Sequence, residues 1–279
     1  MAASESKQFA PMEVTILGSG TCVIKEERGS ASFLLRAGGQ SVLMDCGCGA
    51  PDRLLRAGQD IQELDHIIIT HPHADHMGSL MHVMQSMLVS GYGVSGPGYE
   101  GRARTKTLHM HGYKGFEKDY ENLRRIMVPE REEEYGIRFF EYCSKVTNTF
   151  NDLKITGVYV PHVPQFFNAA AFRIDHKDKS VTYSGDSCYD NRLINLATNS
   201  DLALFEASVA PSAYRSSGPR PNHLSPYECG RIAKLAKVKT LALVHLYDNS
   251  SSTEIIEEVR RNFEGRLILT HDMEKIAVE

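Results

Sequence analysis

Short apolar runs alternate along this chain with stretches in which apolar residues return every three or four positions. Residues 13–17, 32–36 and 41–45 are rich in Val, Leu and Ile and predict strands. Residues 51–57 predict a short helix stopped by Gly58. The run "HIIIT", 66–70, predicts a buried strand, and Leu80, Val83, Met84, Met87 and Leu88 then fall at helical spacing. Residues 91–101 hold five glycines and predict a loop, followed by the basic "RARTK" at 102–106. A strand at 107–110, a helix at 113–127 and a solvated charged stretch, "PEREEEYG", come next. The second half repeats the alternation, with strands at 154–160, 169–175, 180–184 and 201–205. A helix at 225–236 has Ser225 as N-cap and Pro226 at its first position. A strand at 239–245, a helix at 252–262 and strands at 266–270 and 275–278 close the chain. Strands with later helices in both halves predict two packed sheets with helices outside. No linker divides the 279 residues, so they are expected to form one domain behind a disordered tail at 1–11.

Composition narrows the function classes. Net charge is −4 and the isoelectric point about 6.3, so bulk electrostatics cannot drive nucleic-acid binding; an RNA substrate would need a local basic patch. Residues 1–11 lack the basic and apolar regions of a signal peptide, and no apolar run is long enough to span a membrane. The six cysteines, at 22, 46, 48, 143, 188 and 229, form no CxxC pair and no disulfide framework, which points to a reducing cytoplasm. Cys46 and Cys48 flank Gly47; two small residues in a tight turn is a simpler reading than a soft-metal pair.

The chemistry is concentrated in "IIITHPHADHMGSL". His71, His73, Asp75 and His76 crowd into six positions at the end of a buried strand, where a rigid base can aim several side chains at one point. Imidazole and carboxylate suit zinc, iron or manganese, and the string holds no Cys for a thiolate structural site. Adjacent Asp75 and His76 are expected to point to opposite sides of the loop, which suits two metals better than one. His162, Asp186 and His245 each end a later apolar run as His71 does.

"THPHADH" resembles the HxHxDH signature of the metallo-β-lactamase superfamily, and the resemblance runs from "ILGSGT" to "LILTHDMEKIAV". It implies a four-layer αββα sandwich with two divalent ions between the sheets, zinc first, with manganese or iron as alternatives. By the same resemblance His71, His73 and His162 bind one ion, Asp75, His76 and His245 bind the other, and Asp186 bridges them. "LGSGTCVIKEERGSASFLL", "VLMDCGCGA", "LALFEAS" and "PNHLSPYECGRIAKLAKVKTLALVHLY" further resemble ribonuclease Z and its phosphodiesterase relatives. That implies phosphodiester hydrolysis, with tRNA 3′ processing as the leading activity. His223 would be the proton donor to the leaving alkoxide and Glu206 its orienting carboxylate. Asp75 could take the proton of the nucleophile.

Two departures bear on the substrate. Tyr113 stands where the relatives carry Pro after the Gly of a strand–turn–helix segment. The long Gly- and Pro-rich arm that grips tRNA in many ribonuclease Z proteins has no counterpart, since only 24 positions separate His162 from Asp186. Arg102, Arg104 and Lys106 are candidates for a substitute grip, and Arg215 and Arg220, just before His223, are candidates for phosphate contact. The other histidines, at 66, 82, 109, 111, 176 and 271, read as structural or surface residues. The expected partners are a phosphodiester, RNA among them, and a second copy of the chain. An ester, lactone or thioester hydrolase would use the same metals without needing Glu206 and His223, and a metal-bound redox or sensor protein is the non-hydrolytic alternative.

Overall fold

A computed structural model describes residues 12–89, 95–96, 99–100, 104–129, 133, 135–217, 222–247 and 250–279. The predicted tail 1–11 and most of the loop 91–101 lie outside the described residues. The first half runs β1 (Met12–Gly18), β2 (Ser32–Ala37), β3 (Gln40–Met44), α1 (Ala50–Arg56), a 3₁₀ turn (Ile61–Glu63), β4 (His66–Ile69), α2 (Ala74–Met77) and α3 (Leu80–Val89). A small pair, β5 (Ser95–Gly96) and β6 (Tyr99–Glu100), precedes β7 (Leu108–Tyr113), α4 (Phe116–Met127) and β8 (Ile137–Tyr142). The second half runs β9 (Val146–Phe150), β10 (Leu153–Val160), β11 (Ala169–His176), β12 (Lys179–Tyr183), α5 (Asn191–Ala197), β13 (Leu202–Glu206) and α6 (Pro211–Ser217). It ends with α7 (Pro226–Ala236), β14 (Thr240–Val244), α8 (Ser252–Arg260), β15 (Arg266–Leu269) and β16 (Lys275–Ala277).

The two halves build two seven-stranded mixed sheets, ordered β16-β1-β2-β3-β4-β7-β8 and β15-β14-β13-β12-β11-β10-β9. In the first, β3, β4, β7 and β8 are parallel; in the second, β12 to β15 are. Both inner faces share one apolar core in which Val14, Leu35 and Ile68 join Phe172, Tyr183 and Leu204. A second core lies where α5, α7 and α8 cover the other face of the second sheet, around Leu193, Ile232 and Val259. Helices α1, α3 and α4 cover the first sheet, completing the expected αββα sandwich. Ser225 caps α7 with a full capping box to Glu228, and Pro226 follows it, as the sequence predicts.

Several boundaries differ from expectation. The strand predicted at 107–110 continues to Tyr113, so α4 starts at Phe116 behind Gly115, whose φ of 103° only glycine adopts without strain. Strands β8 and β9 and the two-turn helices α5 and α6 are additions to the predicted elements.

The parallel segments matter most for function. The chain leaves β3, β4, β12, β13 and β14 at their carboxyl ends, where open α/β sheets place ligand sites. Strand β10 is antiparallel to β11, which is antiparallel to β12, so β10 also ends on this rim.

Away from the rim, a chain of neutral polar groups runs along the first sheet from β3 to β8. His66 Nε2 donates to Gln40 Oε1 at 3.1 Å, which leaves Nδ1 to accept from His111 Nε2 at 3.1 Å. His111 Nδ1 then accepts from the Tyr142 hydroxyl at 3.0 Å. Burial, and next the neighbouring His109, lower the His66 pKa to about 3, and burial holds His111 well below its ordinary value. The unfolded chain therefore takes up protons first as pH falls below about 6.5, so this stabilisation is complete above that pH and drains away towards pH 3. His66 alone should cost roughly 2 kcal/mol of stability between pH 7 and pH 5, at about 1.4 kcal/mol per pKa unit. Urea midpoints at the two pH values check this, and His66→Gln should fall less over the same interval.

Candidate metal centre

Every strand end on the rim delivers a polar residue. Strand β4 stops at Ile69, and the following turn presents His71 and His73 before α2 lifts Asp75 and His76. Strand β10 leads to His162, β12 to Asp186, β13 to Glu206 and β14 to His245. Gly185 has φ of 54°, and a Cβ there would stand 2.8 Å from the Thr70 Cβ, so a glycine lets the two sheet ends approach closely enough to set Asp186 among the histidines.

The side chains form two adjoining donor sets. His71, His73, His162 and Asp186 offer ligand atoms within 4.8 Å of one another, as do Asp75, His76 and His245. In the first set His71 Nε2 is 3.0 Å from His73 Nδ1, His162 Nε2 is 3.4 Å from His73 Nδ1, and Asp186 Oδ2 lies 3.9 and 3.8 Å from His71 and His162. In the second, His76 Nε2 is 3.4 Å from His245 Nε2 and 3.6 Å from Asp75 Oδ2, while His245 Nε2 is 3.2 Å from Asp75 Oδ2. Asp186 Oδ1 faces this set, 3.3 Å from His76 and 3.6 Å from His245. Donors about 2.0–2.1 Å from one tetrahedral ion stand roughly 3.3 Å apart, so the spacings fit such ions. Asp75 and His76 do not point apart as their adjacency suggests; on the short α2 they converge on the same set.

Proton placement decides what the sets can hold. Asp45, fully buried at φ 54°, accepts from the Thr70 N–H and hydroxyl, His76 Nδ1 and the Tyr183 hydroxyl, all between 2.7 and 2.8 Å. The Thr70 proton is thereby used, so its oxygen accepts from His71 Nδ1 at 3.1 Å. His162 Nδ1 donates to the Asn222 carbonyl at 2.7 Å. His245 Nδ1 lies 2.7 Å from the Ser208 hydroxyl. With their outer nitrogens as donors, these rings turn bare lone pairs inward against two carboxylates. Asp186 Oδ1, buried, accepts no hydrogen bond at all. Converging acceptors without protons repel one another unless cations lie between them, and histidines anchored through their far nitrogen are the usual support of a metal site. The residues therefore fit divalent ions, and burial lowers the pKa values of His71, His73 and His162 towards the neutral form that binds metal. Phe167 walls the first set, its ring centroid 4.9 to 5.9 Å from those of His71, His73 and His162.

Beside the sets stands His223, its Nδ1 3.0 Å from Glu206 Oε1 and 3.8 Å from Asp186 Oδ2. Its side chain is 29% exposed against 1% for Glu206, so a ligand can reach the imidazole but not the carboxylate. Burial disfavours the charged ring, yet Glu206 and then Asp186 outweigh it and push the pKa up to about 9. The Glu206 partner thus favours the imidazolium form of His223, with Nδ1 donating to Glu206.

The predicted basic contacts fare differently. Arg104 is buried and donates to the carbonyls of Gln62, Leu64 and Thr107, so its guanidinium ties the chain to itself and offers no grip. Lys106 pairs with Glu63 and Asp65, and Arg215 with Glu258 and Glu254, so these cations too are engaged within the chain. Arg102 and Arg220 lie outside the described residues. Arg104→Ala would strand buried carbonyls and should cost about 1–3 kcal/mol in a urea titration while leaving turnover of a small diester unchanged. Cys46 is buried and Cys48 exposed, with Gly47 pressed against the Asp75 carbonyl: a tight turn. Sequence reasoning passed over Asp45, Tyr183 and Ser208; Asp45 ends an apolar run as Asp186 does, and that signal could have found it.

Residues 40–246 match the model of a family described as a beta-lactamase superfamily domain. Ribonuclease Z of Haloferax volcanii is 23% identical, covering 96% of this chain and 95% of that protein. The crystal structure of the metallo-beta-lactamase fold protein YhfI from Bacillus subtilis matches with a TM-score of 0.77 at 22% identity, over 96% of this chain and 99% of that one. The short form of human tRNase Z matches with a TM-score of 0.74 at 18% identity, also over 96% and 99%. The two structures speak for the fold, and the family match spans most of the chain: the protein belongs to the beta-lactamase superfamily.

Proposed function

We propose that this chain is a two-metal phosphodiesterase of the ribonuclease Z type. The observation that carries the reading is the Glu206–His223 pair beside the twin donor sets. An ester or lactone hydrolase needs an activated water but no strong acid for its leaving group, whereas cleaving an alkoxide from phosphate needs one. The relatives named ribonuclease Z, similar over nearly their whole length, support the same reading.

In this reading His71, His73 and His162 would hold one divalent ion and Asp75, His76 and His245 the other, with Asp186 shared between the two sets. Zinc is the ion we expect from the His- and carboxylate-rich set. When bound, such ions supply Lewis acidity towards phosphoryl oxygens and an acidified water. The chain does the rest. Asp75, whose carboxylate faces the same set as His76 and His245, can take the proton of the nucleophile. His223 gives its Nε2 proton to the departing oxygen, while Glu206 holds Nδ1 and aims the ring. Phe167 keeps one flank of the site dry.

We further propose RNA with a 3′ extension as the natural substrate class and the cytoplasm as the place of action. Among the described residues no helix is long and apolar enough to cross a membrane. With Arg104, Lys106 and Arg215 engaged internally, fewer cations are offered to the phosphates, so RNA affinity should be modest and its fall with salt shallow. Measuring kcat/KM on precursor tRNA and on bis-p-nitrophenyl phosphate, at 50 and 200 mM salt, tests this. We expect a small salt effect, confined to the RNA; hydrolysis of p-nitrophenyl acetate but of neither diester would overturn the phosphodiesterase reading.

A further inference from the structure

The least expected side chain at the rim is Ser208, two residues beyond the end of β13 and buried. Its hydroxyl lies 2.6 Å from Glu206 Oε2, 2.7 Å from His245 Nδ1 and 3.2 Å from the His245 carbonyl. A hydroxyl has one proton and two acceptor lone pairs. Glu206 is a carboxylate, shown by the Ser187, Leu224 and Ser208 N–H groups that all donate to it, at 3.1 to 3.2 Å. Two acceptors cannot sit 2.6 Å apart without a proton between them, so the hydroxyl proton points at Glu206. The contact with His245 then works only if Nδ1 carries the proton and donates to Ser208. That leaves His245 Nε2 as the lone pair facing Asp75 and Asp186.

The same arrangement occurs on the other side of the centre. Asp45 accepts directly from His76 and, through the Thr70 hydroxyl, from His71. Glu206 accepts directly from His223 and, through the Ser208 hydroxyl, from His245. Each buried carboxylate thus orients two histidines, one in direct contact and one through a hydroxyl. His245 needs such support: its φ of 54° is a strained value for a residue with a side chain, and it persists only where neighbours hold it.

We propose that Ser208 is a positioning residue for the second metal ion, relaying the charge of Glu206 onto His245 so that one carboxylate serves both metal binding and proton donation. The proposal rests on the two-metal reading above. It predicts a division of labour: removing the hydroxyl frees His245 but leaves His223 on Glu206 Oε1. Thr70 plays the matching part for His71 and the first ion.

The test is zinc binding by the full-length protein, measured as zinc per chain and by competition with a graded series of chelators. Ser208→Ala should weaken one of two ions by roughly 10- to 100-fold, the usual cost of losing an outer partner, and leave the other at its wild-type affinity. Ser208→Cys should do the same, keeping the shape but offering only a weak acceptor. Ser208→Thr should restore binding. Thr70→Val should weaken the other ion, and the double variant both. Both ions unchanged in Ser208→Ala and Ser208→Cys, or both weakened together, would overturn the proposal, as would a Thr variant no better than Ala. Wild-type protein that takes up fewer than two ions would instead sink the two-metal reading, whatever Ser208 does.

Discussion

Asp186→Ala is expected to empty both metal positions and abolish turnover. Asp186 Oδ2 faces His71 and His162 at 3.9 and 3.8 Å, and Oδ1 faces His76 and His245 at 3.3 and 3.6 Å. In the proposed centre no other residue serves both sets, so the loss should exceed the roughly 10- to 100-fold cost of removing an outer partner, for each ion. Elemental analysis after dialysis checks the outcome: about two ions in the wild type against close to none. Asp186→Asn, which keeps the shape but not the charge, should fall between them.

His223→Ala should behave in the opposite way, keeping its metals and losing the chemistry. No ligand in either proposed set depends on His223 for its orientation, since Glu206 reaches His245 through its other oxygen. Turnover of a diester with an alkoxide leaving group should drop by roughly 10²- to 10⁴-fold, the range of a general-acid contribution. Bis-p-nitrophenyl phosphate, whose leaving group needs little protonation, should lose far less. Equal losses on both substrates would remove His223 from the role of acid. Glu206→Gln should resemble His223→Ala in leaving-group dependence but also weaken one ion, because it disturbs both arms at once.

The contrast between legible and hidden parts has a physical basis. The rim was legible because a His or Asp that interrupts an apolar run is conspicuous, and strands at the centre of a sheet, such as "HIIIT" and "TLALV", are apolar on both faces. Strands at the edge are not. Val146–Phe150 pairs on one side only and places Thr147, Asn148 and Thr149 towards solvent or polar neighbours, so nothing marks it as a strand. Ile137–Tyr142 is half-buried on both faces and shows no clean alternation. The seven-residue helices α5 and α6 are too short for a helical period to register. Roles that depend on a distant partner were hidden for a different reason. Ser208 is one serine among many until Glu206 and His245 flank it, and Arg104 beside a glycine-rich loop looks like an exposed grip until the fold buries it under the carbonyls of Gln62 and Leu64. The expectation that Asp75 and His76 diverge failed because a short helix, and not an extended loop, carries them.

The central claim is that hydrolysis of a phosphodiester depends on two ions held by these seven side chains. The most direct measurement is a zinc titration of chelator-stripped protein with bis-p-nitrophenyl phosphate hydrolysis as the readout. The account predicts negligible turnover in the stripped protein and activity that reaches its plateau only as the second equivalent binds, with Asp186→Ala inactive throughout. Full turnover without metal, or a plateau at one equivalent that Asp186→Ala shares, would contradict it.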